Sequence, residues 1–132
     1  CFIVFYSLIC ELRLKMYPIA KHPSISKIGY IITNISFIHF YVNDAYRIAS
    51  PGILISPEHA GKGFGKKAWK LLVSDVPTQL GIRKVSAGTL EVNSAMIRLF
   101  ESSNMEFEAR LKSEGVFNEI PTDILLYRKF LS

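Results

Sequence analysis

Residues 53–72 read ILISPEHAGKGFGKKAWKLL, and no other stretch restricts the fold as much. It opens on an apolar run, Ile53-Leu54-Ile55, with the composition of a buried strand. A loop follows with Pro57, Gly61, Gly63 and Gly65. Phe64, Ala68, Leu71, Leu72 and Val76 then recur at helical spacing. Strand, glycine loop and helix in that order aim backbone N–H groups at an anion. The glycines permit close backbone approach. Lys62, Lys66 and Lys67 add positive charge around them. A phosphate-bearing ligand suits this chemistry; the plainer alternative is a glycine-rich turn ahead of an ordinary helix.

Two common phosphate loops fail on inspection. A Walker loop ending at Gly65-Lys66 needs glycine at Ala60 and a hydroxyl at Lys67. The dinucleotide fingerprint needs glycine at Lys66 or at Ala68, depending on its start. Ala60-Gly61-Lys62-Gly63-Phe64-Gly65 instead resembles the acetyl-CoA pyrophosphate loop of the GNAT N-acetyltransferases, Arg/Gln-x-x-Gly-x-Gly/Ala. Ala60 replaces the leading Arg or Gln, which a loop binding through backbone N–H groups tolerates. A second stretch, NSAMIRLFESSNM from Asn93 to Met105, is similar to that family's later motif. Asn93, Met96, Leu99, Phe100 and Glu101 fall in its register. Asn104 stands where the family has glycine, and Asn accepts the left-handed conformation of a helix C-cap. The resemblance covers roughly Lys27 to the C-terminus and is closest to the ribosomal-protein N-acetyltransferase branch.

The resemblance implies an α+β fold: a mixed, mostly antiparallel sheet flanked by helices. No helical pattern precedes Lys27, so the fold is expected to lack the family's usual first strand and helices, as a fragment or a trimmed variant. At 132 residues the chain is expected to be one domain, residues 1–132. Its 49% apolar content is ample for a core. The net charge of +5 suits a polyanionic small ligand. There is no Lys/Arg run with interleaved aromatics, so nucleic acid is not expected as a partner. Cys1 and Cys10 are too few for a disulfide framework and read as buried thiols in a reducing, cytoplasmic setting. The apolar run of residues 1–10 falls far short of a membrane span of ~20 residues.

In chain order, residues 2–14 read as a strand that can continue to Met16, and residues 18–26 as a loop holding His22. Residues 28–33 and 35–42 are strand-like runs around Asn34, forming either an antiparallel pair or one long bulged strand. His39 in the second run is expected to be an ordinary strand histidine, and no metal site is proposed. Residues 43–45 read as a turn, 46–55 as the strand entering the glycine loop, and 63–75 as a helix with Trp69 at the edge of its apolar stripe. Pro77 is expected to end or kink that helix. Residues 84–90 form a strand, Asn93 caps a helix over 94–103, and residues 106–116 and 122–130 make a hairpin over a turn at 118–121.

The family reaction implied is direct attack of a neutral amine on the acetyl thioester. The resemblance assigns cofactor contacts to Ile53, Leu54, Ile55, Ala60, Gly61, Lys62, Gly63, Phe64, Gly65, Lys66, Asn93 and Phe100. Acid and base are not evident. Phe100 occupies the position of the family's frequent tyrosine acid, and Ser50 that of its frequent glutamate. Asp44, Ser50 and Glu91 remain as weak catalytic candidates, with Glu58 also near in sequence. Partners expected are acetyl-CoA and an amine acceptor, with no membrane and with a homodimer left open. A CoA-binding or structural module without turnover is the alternative.

Overall fold

The computed structural model describes residues 15–18, 27–32 and 36–131. The strand expected over residues 2–14, His22, Asn34 and both cysteines lie outside the described residues, as does any element ahead of β1.

The chain runs β1 (Lys15–Pro18), β2 (Lys27–Ile32), β3 (Ser36–Asn43) and β4 (Ile48–Ile55), then a 3-10 turn at Pro57–His59. Helix α1 (Phe64–Lys70) continues through a π-turn (Leu71–Asp75) into α2 (Val76–Gln79). After it come β5 (Lys84–Leu90), α3 (Ser94–Ser102), β6 (Glu106–Phe117) and β7 (Ile120–Phe130). The strands form one seven-stranded sheet in the order β1-β2-β3-β4-β5-β7-β6. Among the described strands only the β4–β5 contact is parallel. This is the expected mixed sheet, and the runs around Asn34 resolve as an antiparallel pair rather than one bulged strand.

Alternation along the central strands sends one set of side chains to the helical layer. Ile38, Phe40 and Val42 of β3, Ala49 of β4, Val85 and Ala87 of β5, and Leu125 and Tyr127 of β7 are buried there with Trp69, Leu72, Val73, Val76 and Phe100. Three rings tie the two helices to the sheet: Trp69 lies 5.4 Å from Phe100, and Phe100 lies 5.1 Å from Tyr127. Trp69 is 0% exposed, so it belongs to the centre of the core and not to the edge of a stripe. Its indole N–H donates to the Ser103 hydroxyl at 3.2 Å.

Three expectations about boundaries need correction. Pro77 does not end the helix. Val76 N–H donates to Leu71 O, five residues back, and this widened turn accommodates the proline ring, so helical backbone continues to Gln79. Strand β4 begins at Ile48, not at Tyr46. Tyr46 N–H is held by the Asn43 side chain at 3.1 Å, and Arg47 turns the chain with φ of 53°. The closing hairpin is tighter than residues 118–121 suggested: Asn118 and Glu119 carry φ of 50° and 65°, the two-residue turn that matches strand twist. Pro121 is already in β7, opposite Val116. No described helix is long and apolar enough to cross a membrane.

Candidate active site

Strands β4 and β5 pair only at Ile48–Lys84 and Ala49–Val85. Beyond that point β4 runs on to Ile55 and β5 to Leu90 without pairing. Each stays fully paired on its other side, β4 with β3 and β5 with β7. The sheet therefore opens into a wedge whose inner edges carry backbone donors and acceptors that find no strand partner across the gap. Buried backbone groups need partners, so this wedge is suited to a ligand with amides of its own.

The glycine loop stands at the open end of β4. Gly61 and Gly63 have φ of 76° and 82°, a conformation side chains rarely adopt. A Cβ placed on either would meet nothing within 4 Å, so the space over the loop is open. Gly63 forms the N-cap of α1, and the first helical bond is Lys67 N–H to Gly63 O at 3.3 Å. The N–H groups of Phe64, Gly65 and Lys66 have no carbonyl one turn earlier and face this open space. Lys62 and Lys66 are exposed beside it. A phosphate fits here by hydrogen bonding and by charge.

From Gly63 a groove of 470 Å³ runs between α1 and the end of α3, lined by Lys66, Lys67, Lys70, Ser74, Ser102 and Lys129 among others. Lys129 reaches it from β7, where its ammonium donates to Ser74 Oγ at 2.9 Å and Ser103 O at 3.2 Å. The sequence reading missed Lys129. The available signal was a lysine continuing the inward-facing series Leu125, Tyr127 on a strand.

Asn93 caps α3, its Oδ1 accepting from Met96 N–H at 3.1 Å, with its side chain exposed at the end of β5. The far end of α3 closes as expected: Asn104 has φ of 60°, and Met105 N–H donates to Phe100 O at 3.0 Å. Ile53 and Ile55 are partly buried, whereas Leu54 is 68% exposed on the face away from the helices.

Three sequence candidates do not belong to the wedge. Phe100 is 0% exposed between Trp69 and Tyr127, and it has no surface left for a cofactor. Asp44 sits in the β3–β4 turn, at the opposite end of β4 from the glycine loop, roughly 20–25 Å away along the strand. Glu91 lies at the wedge end of β5 but is committed to structure. Its carboxylate pairs with Arg110 at 2.8 Å and accepts from Asp123 N–H at 3.3 Å. Glu58 is exposed in the 3-10 turn. Ser50 does stand at the start of the opening, half-buried and opposite Tyr41. Among the described residues no group of His, Cys, Asp and Glu is arranged to hold a metal.

Residues 19–105 match the family model described as the acetyltransferase (GNAT) family. No curated protein matches the chain. Among solved structures, the acetyl-CoA complex of yncA from Salmonella typhimurium is 21% identical with a TM-score of 0.68, covering 98% of this chain and 72% of that one. The spermidine/spermine N-acetyltransferase SpeG from Vibrio cholerae is 19% identical with a TM-score of 0.70, covering 98% and 75%. RimL, a ribosomal alpha-N-protein acetyltransferase in complex with coenzyme A, is 16% identical with a TM-score of 0.69, covering 80% and 62%. At these identities the likeness is one of fold.

Proposed function

The chain belongs to the GNAT acetyltransferase family, acetyl-CoA-dependent enzymes that acetylate amines, and we propose that it performs this transfer with the thioester held in the β4–β5 wedge. The observation that carries the placement is the early end of the β4–β5 ladder, directly before a glycine loop and a helix N-terminus. The pyrophosphate sits on the N–H groups of Phe64, Gly65 and Lys66. The pantetheine amides bond the unpaired edges of β4 and β5, taking the place of the missing ladder. The adenosine end lies toward the lysine-lined groove. The same strand-edge donors polarise the thioester carbonyl as negative charge develops on it. One such donor is worth about 3–4 kcal/mol in a preorganised site.

The acceptor is a primary amine, attacking the carbonyl carbon from the face of the sheet away from the helices. Titration calorimetry with acetyl-CoA tests the binding half. Thiol release with spermidine, a peptide bearing a free N-terminus and an amino sugar tests the transfer half. Binding of acetyl-CoA without thiol release from any of these amines would favour a CoA-binding module without turnover.

A homodimer is supported by the outer hairpin, where Phe107, Val116 and Phe117 of β6 and Ile120 at the start of β7 are exposed. Sedimentation of the wild type against Val116→Lys tests it, and a monomeric wild type refutes it.

A further inference from the structure

We infer that His39 is the proton acceptor for the attacking amine, seated there by the absence of a side chain at Gly52; the inference rests on the proposed acetyl transfer. His39 on β3 and Gly52 on β4 are direct partners across the ladder. A Cβ on Gly52 would fall within the His39 imidazole, so the ring occupies the space over the glycine where a side chain would stand. Glycine inside a strand weakens it and marks a place where another group approaches closely. Here the approaching group is the imidazole.

Gly52 lies three residues past Ala49, the last point at which β4 pairs with β5. The ring therefore rests on the strand that forms one wall of the wedge. Alternation places it on the face opposite Ile38 and Phe40, away from the helical layer. The cofactor phosphates are held on the helical side, at the start of α1. The amine approaches the thioester from the other side, where His39 stands.

Among the described residues the other candidates are placed or committed elsewhere. Asp44 and Glu91 lie elsewhere or are engaged, Phe100 is sealed in the core, and a serine hydroxyl such as Ser50 does not accept a proton near neutral pH unaided. Tyr41 on the same strand as His39 is 4.8 Å from it between ring centroids. On β4 the neighbours on the same face are Ser50 and Leu54, and the paired position on β2 is Tyr30. Burial lowers the His39 pKa below its ordinary 6.5. Burial thus favours the neutral imidazole, the form able to take a proton.

The step balances without another reactant. The amine nitrogen forms a bond to the carbonyl carbon, and its surplus proton passes to the imidazole. The carbon–sulfur bond breaks and CoA leaves as thiolate. The imidazolium returns its proton to the thiolate or to solvent.

The test compares wild type and His39→Gln as the whole chain. Calorimetry measures acetyl-CoA affinity, and thiol release measures kcat for the three amines above, across pH about 5 to 9. The expected result is unchanged acetyl-CoA affinity, kcat lower by about 100-fold in the variant, and loss of the wild-type fall in kcat below pH 6.5. Gly52→Ala, which displaces the ring but keeps the imidazole, is expected to lower kcat as well, and it serves if His39→Gln does not fold. Wild-type kcat with an unchanged pH profile in either folded variant overturns the inference and leaves the functional reading intact. A wild type that binds acetyl-CoA but acetylates none of the amines overturns both.

Discussion

Asn93 illustrates how one side chain serves the backbone before it serves a ligand. Its Oδ1 holds Met96 N–H at the start of α3. Asn93→Ala should cost about 1 kcal/mol of stability, read as a lower denaturation midpoint. Asn93→Ser keeps a capping oxygen with shorter reach. It should leave stability close to wild type while weakening acetyl-CoA binding in calorimetry. A stability loss with unchanged affinity would leave the residue a cap alone. Phe100 shows the reverse case. Sequence register placed it where the family carries an acid, yet its ring is enclosed by Trp69 and Tyr127. Phe100→Tyr should therefore bury a hydroxyl in an apolar site, at a cost of about 1–3 kcal/mol if it finds no partner. It should add no falling alkaline limb to the pH–rate profile. Register predicts which helix face a residue shares; it does not say how deeply that face is covered.

At the scale of elements, legibility followed how local the determining physics is. The glycine loop, the Asn93 cap and the Asn104 C-cap are set within a few residues, and each stands where the sequence placed it. The π-turn before Pro77 was not legible, because the rule that proline breaks a helix assumes an unaltered bond pattern ahead of it. Asp44 and Glu91 were candidates by sequence position, but a strand carries its two ends far apart and a distant arginine pairs with Glu91. Lys129 was missed for the same reason: its meaning depends on partners across the sheet. The outer hairpin gives a pH test of such a long-range cluster. Arg110 bonds Asp123, which also accepts from Ser113 N–H across a bulge in β6. The Arg110 bond, then the Ser113 N–H, hold the Asp123 carboxyl below its usual 3.8. A lowered pKa stabilises the fold above the unfolded value, and that contribution fades as pH falls through the folded one. Asp123→Asn should thus be less stable than wild type at neutral pH, with the difference in denaturation midpoint shrinking toward zero well below pH 3.8. A constant difference across that range would assign the effect to packing.

For the molecule as a whole, the sheet is two ladders joined by a short seam. One ladder holds β1 to β4 and the other β5, β7 and β6, and among the described residues their strands pair only at Ile48–Lys84 and Ala49–Val85. The helical layer covers the join, with Trp69 from the β4–β5 crossover packed on Phe100 from the β5–β6 crossover. Past the seam, backbone amides on the inner edges of residues 51–55 and 86–90 face the wedge with no strand opposite. Such amides exchange with solvent through small local openings. A pantetheine chain laid between the strands would supply the missing partners and join the ladders along the rest of their length. Acetyl-CoA should then slow hydrogen exchange selectively at inner-edge amides in both segments, and raise the melting temperature. At a ligand concentration a hundred times Kd, the added stability is about 2.7 kcal/mol. Gly63→Val, which forces a branched side chain into left-handed backbone at the phosphate end, should abolish both effects by removing the anchor while leaving the wedge intact. Protection confined to the glycine loop, with residues 86–90 unchanged, would mean that the cofactor binds by its phosphates alone and that the opening between the strands is not its channel.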